Sequence, residues 1–199
     1  MDTISFYISS FLLILFCTAF VKIITTLSIF RYGLGLTSFS FGIVVFALSL
    51  ALSLFVTEPY ISKAGGINTF YYNNNIDFEK LDKTFRPFME KVTDTKILDR
   101  LENLKNSKKV RDNDEPPEKP SFLTLLVAFV LSELQVAFIA GFAILIPFLL
   151  VDLLAVNILA SLGVSQISAS IVSLPFKLLL FFIVDGWLLL TEKLIGIYF

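Results

Sequence analysis

Residues 171–190 read IVSLPFKLLLFFIVDGWLLL, and this apolar stretch contains two ionisable side chains, Lys177 and Asp185. Its 14 Leu, Ile, Phe and Val residues favour membrane insertion by about 4–8 kcal/mol. Two charges near the centre of a helix cost about 5–7 kcal/mol. Because these contributions nearly cancel, the stretch predicts a helix surrounded by protein. If the stretch is one helix, Lys177 and Asp185 lie on different faces. We therefore expect each to pair with a neighbouring helix or subunit, with a proton relay or snorkelling toward water as alternatives.

Two uncharged segments near the N-terminus, about Ile4 to Val21 and about Phe39 to Val56, are each long enough for a membrane helix. Lys22 and Arg31 are expected in the connection between them, which places that connection on the cytoplasmic side and both the N-terminus and the hydrophilic residues 58–120 outside. No basic residue or small-residue cleavage site accompanies the first segment, so we expect it to be retained rather than removed as a signal peptide.

A further apolar segment runs from Phe122 to Val151 and would be roughly 45 Å long as one helix. We expect it to bend at Gly141 and Pro147, since proline removes a helical hydrogen bond. A second apolar piece begins at Leu153, and the polar stretch Ser161–Ser170 precedes the final segment.

The composition excludes several classes of function. The 199 residues are 56% hydrophobic and contain no histidine, which removes His-ligated metal sites and His-dependent catalysis. Cys17 is the only cysteine, and 16 basic residues balance 17 acidic ones, so neither a disulfide framework nor nucleic-acid binding is expected. Nucleotide-binding and nucleophile-elbow motifs are missing. We predict no enzymatic activity, no cofactor and no metal.

Most charges lie in a hydrophilic block between Glu58 and Pro120, which has no net charge. Apolar residues recur there at spacings of three and four, predicting two amphipathic helices: Phe78, Leu81, Phe85, Phe88, Met89 and Val92, then Ile97, Leu98, Leu101 and Leu104. A Pro-rich hinge at Asp112–Pro120 follows. The block is interpreted as a packed helical cap or, alternatively, as a docking surface.

The predicted fold is all-α, with kinked hydrophobic helical hairpins and a small helical extramembrane domain. The predicted domains are an N-terminal helix pair at 1–57, the hydrophilic domain and hinge at 58–120, and C-terminal hairpins at 121–199. Four ionisable residues interrupt the C-terminal apolar segments between Phe122 and Leu190: Glu133, Asp152, Lys177 and Asp185. They are expected to form buried ionic contacts in an assembly, or alternatively to line the path of an independent polytopic transporter or ion channel.

The final segment resembles the signature of the FliP/SctR family, the export-apparatus proteins of flagella and type III secretion injectisomes. The residues that carry this resemblance are Ser173, Leu174, Pro175, Phe176 and Lys177, followed by Gly186 and Trp187. Further similarity lies at Ser132-Glu133-Leu134, Gly141-Phe142, Ile146-Pro147-Phe148-Leu149, Asp152-Leu153, Lys22-Ile23-Ile24, Arg31 and Leu34-Gly35.

The resemblance implies a non-enzymatic pore subunit in the bacterial inner membrane that reaches toward the periplasm. It implies a homo-oligomer, commonly a pentamer, with SctS/FliQ-like and SctT/FliR-like subunits, through which unfolded polypeptides are secreted. Contact with membrane lipid is also implied. The absence of a signal peptide favours the injectisome branch.

One departure from the family pattern concerns closure of the pore. The resemblance places a constriction at Gly163, Val164, Ser165, Gln166 and Ile167, where family members are usually methionine-rich. Flexible thioethers suit a seal that reshapes around passing chains, and this protein contains only Met1 and Met89. We expect Val164, Gln166 and Ile167 to form a narrower or hydrogen-bonded closure at the same place.

Overall fold

The computed structural model describes residues 11–66, 70–72, 75–109, 119–164 and 166–198. It is predominantly helical, which confirms the predicted all-α class. The helices are α1 (Phe20–Gly33), α2 (Phe39–Lys63), α3 (Phe78–Val92), α4 (Thr95–Lys109), α5 (Phe122–Ser161), α6 (Ala169–Ile183) and α7 (Gly186–Ile195). Residues 11–16 are also helical, and a 3₁₀ turn at Gly196–Tyr198 follows α7. A short antiparallel ladder joins β1 (Tyr71–Tyr72) to β2 (Asn75–Ile76).

Two of the described helices are long and apolar enough to cross a membrane. They are α2, with 25 residues and a mean hydropathy of 2.5 over its most apolar window, and α5, with 40 residues and 2.6. Helices α6 and α7 taken together are also long and apolar enough, although the chain bends by 67° between them. The described residues therefore contain two candidate spans, or three if the bent pair counts as one.

The chain divides into two compact units, the first formed from Met1–Val21 and Ser53–Gln135, taken over their described residues. Its core contains the predicted apolar face of α3, where Leu81, Phe85, Phe88 and Met89 are buried. The Phe88 ring lies 5.7 Å from that of Phe129 in α5. The predicted amphipathic helix is thus confirmed, although Phe78 at its first position is exposed.

Helix α3 begins where the Asp77 carboxylate accepts a hydrogen bond from the Lys80 backbone N–H. This bond satisfies one of the amide donors that a helix start leaves open, and it lowers the pKa of Asp77. Within α3, Arg86 forms a bidentate pair with Asp82 at 2.8 and 2.9 Å and donates to the Pro120 carbonyl at 3.1 Å.

The second predicted amphipathic helix corresponds to α4, whose apolar face is less buried than that of α3. Ile97, Leu98 and Leu101 are half-buried, and Leu104 is 66% exposed. The predicted hinge lies outside the described residues except for Lys119 and Pro120.

The second unit is formed from Lys22–Leu52 and Val136–Phe199, taken over their described residues. Its helices approach closely at two glycines. A Cβ added to Gly33 would lie 2.9 Å from Leu145 Cδ1, and one added to Gly141 would lie 2.5 Å from Ile29 Cδ1. Both glycines therefore allow α1 and α5 to pack at short range.

The structure corrects the predicted N-terminal connection. Residues 4–10 of the first predicted segment lie outside the described residues. A turn at residues 17–19 interrupts the rest of it, and Lys22 and Arg31 lie within α1 rather than in a loop. Lysine and arginine are good helix formers, so their charge marked no boundary. Lys22 is buried, with its ammonium nitrogen 4.1 Å from the centroid of the Tyr198 ring.

Two predicted helix boundaries in the C-terminal part are also wrong. The predicted end of the third apolar segment near Val151 is contradicted, since α5 continues through Asp152 to Ser161; Pro147 lies inside it, because one missing proline donor leaves the other hydrogen bonds of a long apolar helix intact. The final segment breaks at Val184–Asp185, whereas Pro175 lies inside α6. Contrary to the prediction, Lys177 and Asp185 therefore do not lie in the same helix.

Candidate functional site

The centre of the second unit is an ion pair between Lys177 of α6 and Asp152 of α5. The Lys177 ammonium donates to an Asp152 carboxylate oxygen at 2.7 Å and to the backbone carbonyl of Gly33 at 2.8 Å. Only 1% of Lys177 is exposed to solvent. One buried cation thus joins α6 to both α5 and the C-terminal end of α1.

The end of α1 explains why a carbonyl is open to this lysine. Gly35 has φ +81, and the amides of Gly35 and Leu36 donate to the carbonyls of Tyr32 and Arg31. This pattern is a Schellman motif, in which the last helical residue keeps an open carbonyl. That residue is Gly33, and the bond from Lys177 satisfies it.

Ser173 completes the polar contacts of the ion pair. Its fully buried hydroxyl, one helical turn before Lys177, donates to the other carboxylate oxygen of Asp152. Asp152 therefore accepts hydrogen bonds on both oxygens, which offsets part of the cost of burying its charge. We refer to Asp152, Ser173, Lys177 and the Gly33 carbonyl as the lysine cluster.

An aromatic cluster of Phe30, Phe148, Phe181 and Trp187 forms a second contact region of this unit. The Phe181 ring lies 4.8 Å from Phe30 and 5.2 Å from Trp187, centroid to centroid. A Cβ added to Gly186 would lie 2.1 Å from the Phe181 ring, so only glycine fits there. Gly186 and Trp187, the second part of the family signature noted in the sequence, thus set the packing between α6 and α7.

The SLPFK motif, Ser173 to Lys177, has both buried and exposed positions along α6. Ser173, Lys177 and Phe181 follow each other at intervals of four residues and are buried, whereas Pro175 and Phe176 are exposed and Leu174 is half-buried. The polar residues of the motif therefore form the lysine cluster, and the outer face presents apolar surface.

The remaining predicted ionic residues lie elsewhere. Asp185 is exposed, adopts the left-handed conformation with φ 48 and precedes α7 without a side-chain capping bond. Glu133 belongs to the first unit and is buried in α5. Among the described residues no group of three or more Cys, Asp or Glu residues could hold a metal ion.

The predicted constriction corresponds to the connection between α5 and α6. Gly163, with φ +70, ends α5 through bonds from the Gly163 and Val164 amides to the carbonyls of Ala160 and Leu159. Val164 is half-buried, and Gln166 and Ile167 are exposed. The expected role of Ser165 falls on a residue outside the described ranges.

Sequence reasoning missed two members of these clusters. Gly33 contributes a backbone carbonyl, which no side-chain pattern can reveal; the available signal was Gly35, whose position indicates where α1 ends. Phe30 is one of 22 phenylalanines, and only its spacing from Ile23 and Leu27 along α1 distinguished it.

Taken together, the fold and the lysine cluster define an α-helical protein with membrane-length helices and a buried interhelical ion pair. The chain belongs to the FliP family, whose sequence model matches residues 4–194. It is 34% identical over 198 residues to the harpin secretion protein HrpW of Pseudomonas syringae pv. syringae, covering 94% of this chain and 93% of that protein. It is 34% identical over 191 residues to the flagellar biosynthetic protein FliP of Bacillus subtilis (92% and 83%) and 32% identical over 194 residues to the virulence protein YscR of Salmonella typhimurium (92% and 88%).

Proposed function

We propose that this chain is a subunit of a bacterial type III protein export apparatus and has no enzymatic activity of its own. The observation that carries the proposal is the family match over residues 4–194, together with relatives whose names refer to harpin secretion and flagellar biosynthesis. The finer proposal is a homo-oligomer, pentameric as is common in the family, that forms the export pore with SctS/FliQ-like and SctT/FliR-like subunits. Its place is the inner membrane, reaching toward the periplasm.

The dimensions of α5 support a helix that contacts both lipid and other subunits. Its 40 residues would extend for about 60 Å, twice the thickness of a hydrocarbon core of about 30 Å. Large apolar side chains remain exposed far along it, including Phe142, Leu150 and Ile158. Apolar surface beyond the thickness of the bilayer is most readily covered by neighbouring subunits.

The composition of the purified complex tests this proposal. Detergent extraction followed by sizing and mass spectrometry should yield a large complex with several copies of this chain and small hydrophobic partners. Phe176→Ser, on the exposed face of α6, should weaken that complex. Lys63→Ser, at the end of α2, is a matched exposed control and should leave it intact. A lone chain that transports a small solute in liposomes would refute the export subunit.

The proposed constriction at residues 163–167 has a separate test. Exposed Gln166 and Ile167 lie in the α5–α6 connection, where a ring of copies could bring them together. In the assembled complex Ile167→Gly should raise ion leakage, whereas Leu162→Gly, at an exposed neighbouring position, should not. Unchanged leakage in the Ile167 variant would exclude this assignment.

Asp185 is proposed to act through assembly contacts, since its carboxylate is exposed and makes no capping bond. Asp185→Asn should therefore reduce recovery of the large complex while the isolated chain remains folded. Normal assembly with an altered dependence of export on the proton gradient would instead indicate a proton relay.

A further inference from the structure

Arg31 presents a buried hydrogen-bond donor that the described residues do not use. It lies near the C-terminal end of α1, and its Nε atom is buried with no acceptor among the residues that the structure describes. The guanidinium carbon lies 5.1 Å from the centroid of the Tyr32 ring. Because a buried donor without an acceptor costs about 1–3 kcal/mol, this arrangement favours an acceptor from outside the described chain.

The surroundings of the guanidinium group add positive potential. A Cβ added to Gly42 would lie 2.6 Å from the Arg31 Nη1 atom, so the guanidinium lies against the first turn of α2. That turn has the open amides of a helix N-terminus and contains no acidic residue. The position therefore combines a fixed cation with the positive end of a 25-residue helix.

An apolar cavity adjoins this cation. It has a volume of about 240 Å³, and apart from Arg31 its lining among the described residues is apolar. Leu34, Phe41, Val45, Leu178, Phe182 and Trp187 are among the lining residues. A ligand that fits must combine an anionic group with a hydrocarbon part.

We propose that this site binds an anionic phospholipid, with the phosphate on the Arg31 guanidinium and part of one acyl chain in the cavity. Helix α2 is a candidate span, so its first turn would lie near the membrane interface, at the depth of lipid phosphates. Trp187 and Tyr32 are the amphipathic aromatics that prefer this depth. A peptide carboxylate would also satisfy Arg31, but its backbone would meet a lining whose side chains offer no hydrogen-bond acceptor and, apart from Arg31, only the Trp187 indole as a donor.

This proposal does not depend on a role in protein export. It is tested with the full-length protein in detergent, incubated with phosphatidylglycerol or phosphatidylcholine and examined by native mass spectrometry. The wild-type protein should retain phosphatidylglycerol at least tenfold better than phosphatidylcholine. Arg31→Gln should lose this preference. Lys63→Gln, which changes a basic residue at the C-terminal end of α2, far from the site at its first turn, is the matched control and should keep the preference. Equal retention of phosphatidylglycerol by wild type and Arg31→Gln would overturn the proposal.

A second variant separates the acyl chain from the phosphate and covers the case in which Arg31→Gln does not fold. Val45→Trp should fill the cavity and reduce phosphatidylglycerol retention severalfold while Arg31 remains. Unchanged retention in Val45→Trp would overturn the acyl-chain assignment. Phosphatidylglycerol should also raise the melting temperature of the wild-type protein. An equal rise with inorganic phosphate would overturn the proposal, because it would show that the site takes a free anion and not a lipid. A photo-crosslinker at residue 45 that captures a polypeptide instead of lipid would likewise overturn the proposal.

Discussion

Replacing Lys177 by methionine removes the cation of the lysine cluster while preserving most of the side-chain volume. Asp152 would then be left without its ion-pair partner and the Gly33 carbonyl without its donor. Removing one partner of a buried ion pair costs about 3–5 kcal/mol. Because the Asp152 side chain is 28% exposed and keeps the bond from Ser173, we expect about 3 kcal/mol, roughly a hundredfold change in the unfolding equilibrium.

The reciprocal change should be more costly. Asp152→Asn leaves Lys177, whose side chain is only 2% exposed, with no carboxylate to balance its charge. We expect this variant to lose more stability than Lys177→Met, toward about 5 kcal/mol. In the double variant no charge remains in the cluster, so the combined cost should be smaller than the sum of the two single costs by about 2 kcal/mol or more.

The assay is reversible unfolding in mixed micelles, followed by the far-ultraviolet circular dichroism of the full chain. Lys193→Met, at an exposed position in α7, is the control and should change the free energy of unfolding by less than about 0.5 kcal/mol. Additive costs in the double-mutant cycle would refute the reasoning, because they would mean that the two side chains do not interact. Equal costs for the two single variants would contradict the inference drawn from their different exposure.

Two further predictions concern local geometry. Gly186→Ala should destabilise the fold by about 1–3 kcal/mol in the same assay, because its Cβ would overlap the Phe181 ring; Gly196→Ala, where a Cβ meets open space, should be nearly neutral. Asp77→Ala should lower the melting temperature at neutral pH, because Asp77 accepts the bond from the Lys80 amide that begins α3. Folding lowers the pKa of Asp77, so its contribution to stability is present above the ordinary aspartate pKa and is lost as the pH falls through the pKa of the folded state. The melting temperatures of wild type and variant should therefore converge in acid. A constant difference at all pH values would contradict the capping role.

The helical class and the amphipathic face of α3 were predictable because they depend on neighbours three and four residues apart. Leu81, Phe85 and Phe88 show that period in the sequence and are buried in the structure. The boundaries of the apolar helices were less predictable. Prolines in the sequence did not mark the helix end: Pro175 lies inside α6, and the break occurs at Asp185, where the backbone is left-handed and Gly186 packs against Phe181.

The amino-acid sequence alone shows that the chain is apolar and helical, lacks histidine chemistry and carries the SLPFK motif of its family. Those properties reside in composition, short-range period and the order of residues. The fold brings Lys177 to Asp152, 25 residues away, and to the Gly33 carbonyl, 144 residues away. It also places Arg31 against Gly42 beside an apolar cavity. Distances between helices depend on packing across the whole unit, and burial is what turns an ordinary lysine or arginine into a charge that requires a partner.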